Sequence, residues 1–162
     1  LLAQIFLLTV LIPIAVFYLL RMLKLLRTDI MVNDVKQRKL PLAIQAMYFY
    51  FISFYTLKPI PDSDLKFFFI GALASTILAL FAAILRQKIS LHMIGVGGMA
   101  SFIIGLSVKT SSPNLLLICA LILLTGIVAS SRLAMKAHTP SELFWGTVVG
   151  VYCQVQLFVY WL

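Results

Sequence analysis

Long apolar runs separated by short polar breaks constrain this chain more than any other feature in it. Crossing the hydrocarbon core of a bilayer takes about 20 apolar residues as a helix. The backbone of a spanning segment must also satisfy its own hydrogen bonds there, which favours helices over open strands. Six runs qualify by count: residues 3–24, 41–57, 65–85, 91–108, 114–131 and 141–162. Composition agrees, since 62% of the 162 residues are hydrophobic and 11% are charged. A soluble domain would be nearer half apolar and a quarter charged. The expected fold is all-α: one integral membrane bundle of six transmembrane helices over residues 1–162. The expected location is a multi-pass protein of a bacterial inner membrane. The first run has too few basic residues before it to read as a signal peptide. Pro13 is expected to kink it, and Tyr48, Tyr50 and Tyr55 suit an interface belt at the end of the second.

The ionisable residues are not spread evenly. Those after the first, third and fifth runs include Asp29, Asp34, Lys36, Arg38 and Lys39, then Arg86, Lys88 and His92, then Arg132, Lys136, His138 and Glu142. The loops at 58–62 and 109–114 read as plain turns. Six spans put the three richer loops on one membrane face, so both histidines share a face with three basic segments.

Within that set, Ser131–Glu142 carries the most chemistry. It gathers a serine, an arginine, a histidine and a carboxylate between two apolar runs, and polar groups at the end of a span commonly line a site. Arg132 can fork two hydrogen bonds onto a phosphate. His138 can serve as nucleophile or base, with Glu142 fixing its tautomer. A structural reading competes: Thr139-Pro140-Ser141-Glu142 fits a capping box with proline at the first helical position. Capping leaves the Ser131-Arg132 pair and His138 without a role.

Two further segments point the same way. Ser90 is placed to cap the fourth helix, whose N-terminus would then offer free N–H groups to an anion, with His92 in the first turn. The bland alternative is a capping serine and an interfacial histidine. Lys36-Gln37-Arg38-Lys39-Leu40-Pro41 is either an ordinary basic juxtamembrane cluster or a cationic wall for phosphate. Gly95, Gly97, Gly98 and Gly105 with Ser101 form a small-residue stripe for close packing of the fourth helix, and Gly146 and Gly150 suggest the same for the sixth. Cys119 and Cys153 lie inside apolar runs and read as small hydrophobes. The net charge of +8 fits anionic lipid, a phosphorylated substrate or membrane topology better than nucleic acid, because no aromatic-basic surface accompanies it.

Together these segments resemble the type-2 phosphatidic acid phosphatase family, marked by K-x6-R-P, P-S-G-H and S-R-x5-H-x3-D. Ser131, Arg132 and His138 match the third motif in spacing, with Glu142 where the family has Asp. Ser90 and His92 match the second, with Ile89 and Leu91 in place of its proline and glycine. Arg38 or Lys39 ahead of Pro41 resembles the end of the first, but Met31 and Val32 stand where its lysine belongs, and Lys36 would have to substitute from another place. The resemblance covers residues 28–162 and implies phosphatase chemistry without a metal or other cofactor. It assigns His138 as nucleophile, Glu142 as its orienting carboxylate and His92 as acid and then base. Arg132, Ser131, Ser90, Arg38, Lys39 and Lys88 would hold phosphoryl oxygens. The implied substrate is a lipid phosphomonoester or an isoprenoid pyrophosphate.

Two alternatives stand beside it: a non-catalytic relative that binds anionic lipid or a partner protein, and a small transporter for phosphorylated lipid. All Lys and Arg except Lys58, Lys66 and Lys109 fall on the motif face. The positive-inside rule would make that face cytoplasmic, but a phosphate site needs positive charge of its own, so the bias does not fix orientation.

Overall fold

The computed structural model describes residues 2–23, 35–60 and 63–162. Lys24, Arg27, Asp29, Met31, Val32 and Asp34 of the first loop lie outside the described residues, as do Pro61 and Asp62 and the side chain of Lys36. The described chain is helical throughout, with no strand. Its helical runs are α1 (Ala3–Met22), α2 (Lys39–Phe51), α3 (Asp64–Ile84), α4 (Leu91–Lys109), α5 (Leu115–Ala134) and α6 (Pro140–Val155), the last continued by a turn at Phe158–Trp161.

Five of the six expected spans are long and apolar enough to cross a bilayer: Ala3–Met22, Asp64–Ile84, Leu91–Lys109, Leu115–Ala134 and Pro140–Trp161. The second departs from expectation. Its α-helix has 13 residues and passes into a π-helical stretch, Ile52–Thr56. Gln45 and the three tyrosines interrupt its apolar run, and its α-helical part of 13 residues rises only about 20 Å. In α1 the disturbance expected at Pro13 takes the form of a π-helical stretch, Leu7–Leu11, just ahead of the proline. The N–H of Ile12 bonds to the carbonyl of Leu7, so the helix widens by one residue per turn just ahead of the proline.

Helix ends follow local chemistry. The Ser90 hydroxyl accepts from the Met93 N–H at 3.5 Å, and Asn114 Oδ1 accepts from Leu117 at 3.0 Å. The C-termini of α3 and α5 close differently from anything glycine would signal. Arg86 (φ 61°) and Lys136 (φ 51°) take the left-handed conformation. Gln87 N–H then bonds to Ala82 O at 2.8 Å, and Ala137 N–H to Arg132 O at 3.1 Å, the 6→1 closure of a Schellman motif.

The centre of the bundle is the α4–α6 pair. A Cβ on Gly146 would fall 2.6 Å from Ser90 O, one on Gly150 2.3 Å from Ile94 O, and one on Gly105 2.7 Å from the Phe158 ring. Contacts on both helices climb together in residue number, so α4 and α6 run parallel, backbone against backbone. The expected packing role holds for Gly97, Gly98, Gly105, Gly146 and Gly150. It fails for Gly95, which is exposed and meets nothing within 4 Å. It lines a small cavity of about 150 Å³ instead. α1 and α5 sit at the margin, with none and 6% of their spans buried.

Candidate active site

Parallel packing sets the N-termini of α4 and α6 side by side. The Ser90 N–H donates to Glu142 O at 3.1 Å, tying the two helix starts together. Both helix dipoles present their positive ends here. The loop before α6 is short because α5 ends in its left-handed turn at Lys136, which buries Ala137 and brings His138 back over the start of α6.

His138 Nδ1 lies 2.7 Å from Glu142 Oε2. An ionised carboxylate only accepts, so Nδ1 is the donor and Nε2 keeps the lone pair. The imidazole side chain is 6% exposed. The same Oε2 also accepts the Thr139 N–H at 3.3 Å, and the Glu142 N–H returns to Thr139 Oγ1 at 3.3 Å. The capping box and the histidine–carboxylate pair therefore coexist on one oxygen.

Four basic groups surround this pair. Lys88 Nζ donates to Ala137 O at 2.7 Å and stands 3.9 Å from Glu142 Oε2. Arg38 donates from a terminal guanidinium nitrogen to Ile89 O at 3.3 Å. His92, in the first turn of α4, interacts electrostatically with Arg132, His138 and Arg38. Arg132 has its Nε–H buried with no hydrogen bond among the described atoms. Burial pushes His138 below the ordinary histidine value. The Glu142 hydrogen bond and charge work against that, and the charges of Lys88 and Arg38 add to it. Burial also lowers Arg38, with Glu142 opposing; a guanidinium still stays charged.

Compared with family models, curated proteins and solved structures, the chain matches none.

The expected site residues thus divide. His138, Glu142, His92, Arg132, Arg38 and Lys88 gather at one end of the bundle. Ser90 is there too, but its residue is fully buried and its hydroxyl caps α4. Lys88 ties the loop before α4 to the loop before α6. Ser131 donates to Met135 Sδ at 3.8 Å along its own helix. Lys39 is half-buried at the start of α2, and its side chain makes no hydrogen bond or ion pair among the described residues. Two participants escaped the sequence: the carbonyls of Ala137 and Ile89, which anchor Lys88 and Arg38. A main-chain acceptor carries no residue-type signal.

Proposed function

We propose that this chain is a membrane phosphatase acting on a lipid phosphomonoester or an isoprenoid pyrophosphate. The observation that carries the reading is the part-buried His138–Glu142 pair, at 2.7 Å, at an end of the bundle where Arg38, Lys88 and His92 act electrostatically on His138 and Arg132 acts on His92. Phosphoryl transfer depends mainly on positioning and on positive charge around the equatorial oxygens. A buried, unpartnered Arg132 Nε–H is costly in a protein interior, and an anion's oxygen is the partner that suits it.

In this reading His138 Nε2 forms a bond to phosphorus as the bond from phosphorus to the leaving oxygen breaks. His92 gives its proton to that oxygen. Glu142 holds the tautomer and offsets the positive charge that develops on the phosphohistidine. His92, now neutral, takes a proton from water as the water oxygen attacks phosphorus. The N–P bond breaks and inorganic phosphate leaves. The steps draw on the chain's own residues alone. Ser90 serves by holding the start of α4, and Lys88 by holding the loop that carries His138. The six-crossing layout belongs to this proposal as well, with residues 39–56 as its short second crossing.

Purified protein supplied with radiolabelled phosphatidic acid or undecaprenyl pyrophosphate should release inorganic phosphate and carry an acid-labile label during turnover. His138→Ala should abolish both. Full release by that variant would remove His138 as nucleophile. Binding without turnover or label in the unmodified chain would favour the anionic-lipid-binding alternative.

A further inference from the structure

A second feature lies behind the catalytic pair. A groove of about 730 Å³ runs between the end of α3 and the start of α6. Polarity changes with depth in the same order on both of its walls. From α3 into the loop before α4, Leu78, Phe81 and Leu85 give way to Arg86, Gln87 and Lys88; towards the start of α6, Val149 and Trp145 give way to Ser141 and the N-cap Thr139. Leu78 to Leu85 spans about 10 Å of helix, and these walls are open to the outside: Leu78 is 41% exposed, Phe81 58%, Leu85 57% and Trp145 54%. Graded walls of this kind match one amphiphile standing upright, with its chain below and its headgroup above.

Charge selects the headgroup. Arg86 is exposed, and its side chain makes no hydrogen bond or ion pair among the described residues. Lys88 gives a short hydrogen bond to Ala137 O, and an ammonium has three N–H donors. The one acid lining the groove, Glu142, is held by His138 and Thr139 and stands 3.9 Å from Lys88, so it offsets that ammonium in part and leaves the Arg86 charge uncompensated. An anion therefore finds two basic groups there. Arg86 is also fixed in place: its left-handed backbone belongs to the Schellman turn that ends α3.

We propose that this groove binds an anionic phospholipid of the surrounding bilayer, seated on Arg86 and Lys88 and not turned over. The inference rests on the bilayer placement but not on the phosphatase chemistry. The occupant is separate from the substrate, because His138 does not line the groove, which reaches Glu142 and Lys88 on the Nδ1 side of that ring. An anion on Lys88 would draw that ammonium from Ala137 O, so the lipid also touches the loop that positions His138.

The tryptophans offer a direct readout. Trp161 is 6% exposed, so only Trp145 can meet lipid bromines freely. The protein is reconstituted in phosphatidylcholine vesicles carrying a small fraction of dibrominated phosphatidylglycerol, and tryptophan quenching is compared with that by dibrominated phosphatidylcholine at the same fraction. Phosphatidylglycerol is a phosphodiester, so turnover of a monoester does not consume it. Each basic group near the bilayer surface favours an anionic lipid by about fivefold. Phosphatidylglycerol should thus be preferred by at least about fivefold. Arg86→Asn should cut that preference by about fivefold while keeping the fold, since asparagine accepts the left-handed conformation. Trp145→Phe should remove the lipid-specific quenching. Equal quenching by the two brominated lipids would overturn the proposal, as would an unchanged preference in Arg86→Asn. Preference for dibrominated phosphatidic acid with none for phosphatidylglycerol would make the groove a substrate lane and overturn it too. Loss of phosphatase activity in an otherwise lipid-selective protein would leave it standing.

Discussion

At the residue scale, Glu142 decides how local structure and chemistry share one carboxylate. Its Oε2 accepts from His138 and from the Thr139 N–H at once, so the two tasks separate by mutation. Thr139→Ala removes a capping hydroxyl and should cost about 1 kcal/mol of stability while most of the phosphatase activity survives. Glu142→Gln leaves the side chain able to cap but takes its charge from His138, and should lower kcat by about 10²–10⁴-fold. Thermal unfolding and steady-state kinetics on both variants test this; equal kinetic losses would mean the cap alone matters. pH offers a second check. His138 sits below the ordinary histidine value of about 6.5, so its neutral imidazole, the proposed nucleophile, is present above that value and is lost as pH falls through the depressed one. Its contribution to stability follows the same sign. Because the Lys88 charge helps depress His138, Lys88→Met should move the acid limb of kcat/KM to higher pH. A move to lower pH would contradict the assignment.

At the element scale, the glycines of α4 and α6 do unequal work. Gly150→Ala sets a methyl against Ile94 O at 2.3 Å. A backbone atom cannot swing aside as a side chain does, so the helices must separate. Strain of this kind costs about 1–3 kcal/mol and sometimes more, and it should disturb the site as well, since the Ser90–Glu142 tie depends on the same contact. Gly95→Ala, with nothing within 4 Å, should keep full activity and gain about 0.5–1 kcal/mol of helix stability. Melting temperatures in detergent would expose a reversed order. Sequence spacing revealed a small-residue stripe but not which glycine lay outside the contact, because that depends on how α4 is rotated against α6. The left-handed turns at Arg86 and Lys136 were equally illegible. Neither position carries glycine or asparagine, and the conformation costs an L-residue about 1–2 kcal/mol. Two backbone hydrogen bonds at each turn hold it there.

At the scale of the whole molecule, a parallel central pair with α5 looping outside it explains why the candidate site residues meet. α5 must cross once for α6 to start beside α4. Cysteines placed at Ser111 and at Lys136, the two ends of α5, in a background lacking Cys119 and Cys153, should therefore react with a membrane-impermeant thiol reagent from opposite faces. Labelling of both from the same side would break the topology on which the site depends. The face that exposes position 136 is the face that carries the site.

The helical class, the long apolar spans, the caps at Ser90 and Thr139, and the pairing of His138 with Glu142, four residues on, were all legible in the amino-acid order. Each of these is settled within a turn or two of helix. Hydropathy, capping and i,i+4 spacing depend on near neighbours in the chain. Tertiary structure alone decided that α4 lies against α6, that Lys88 reaches Ala137 and Arg38 reaches Ile89, and that α2 stays short. It also decided that a groove with a basic rim opens behind the histidine. Those contacts join residues some fifty positions apart, and they follow from which surfaces fit when whole helices pack, a property that no local pattern carries.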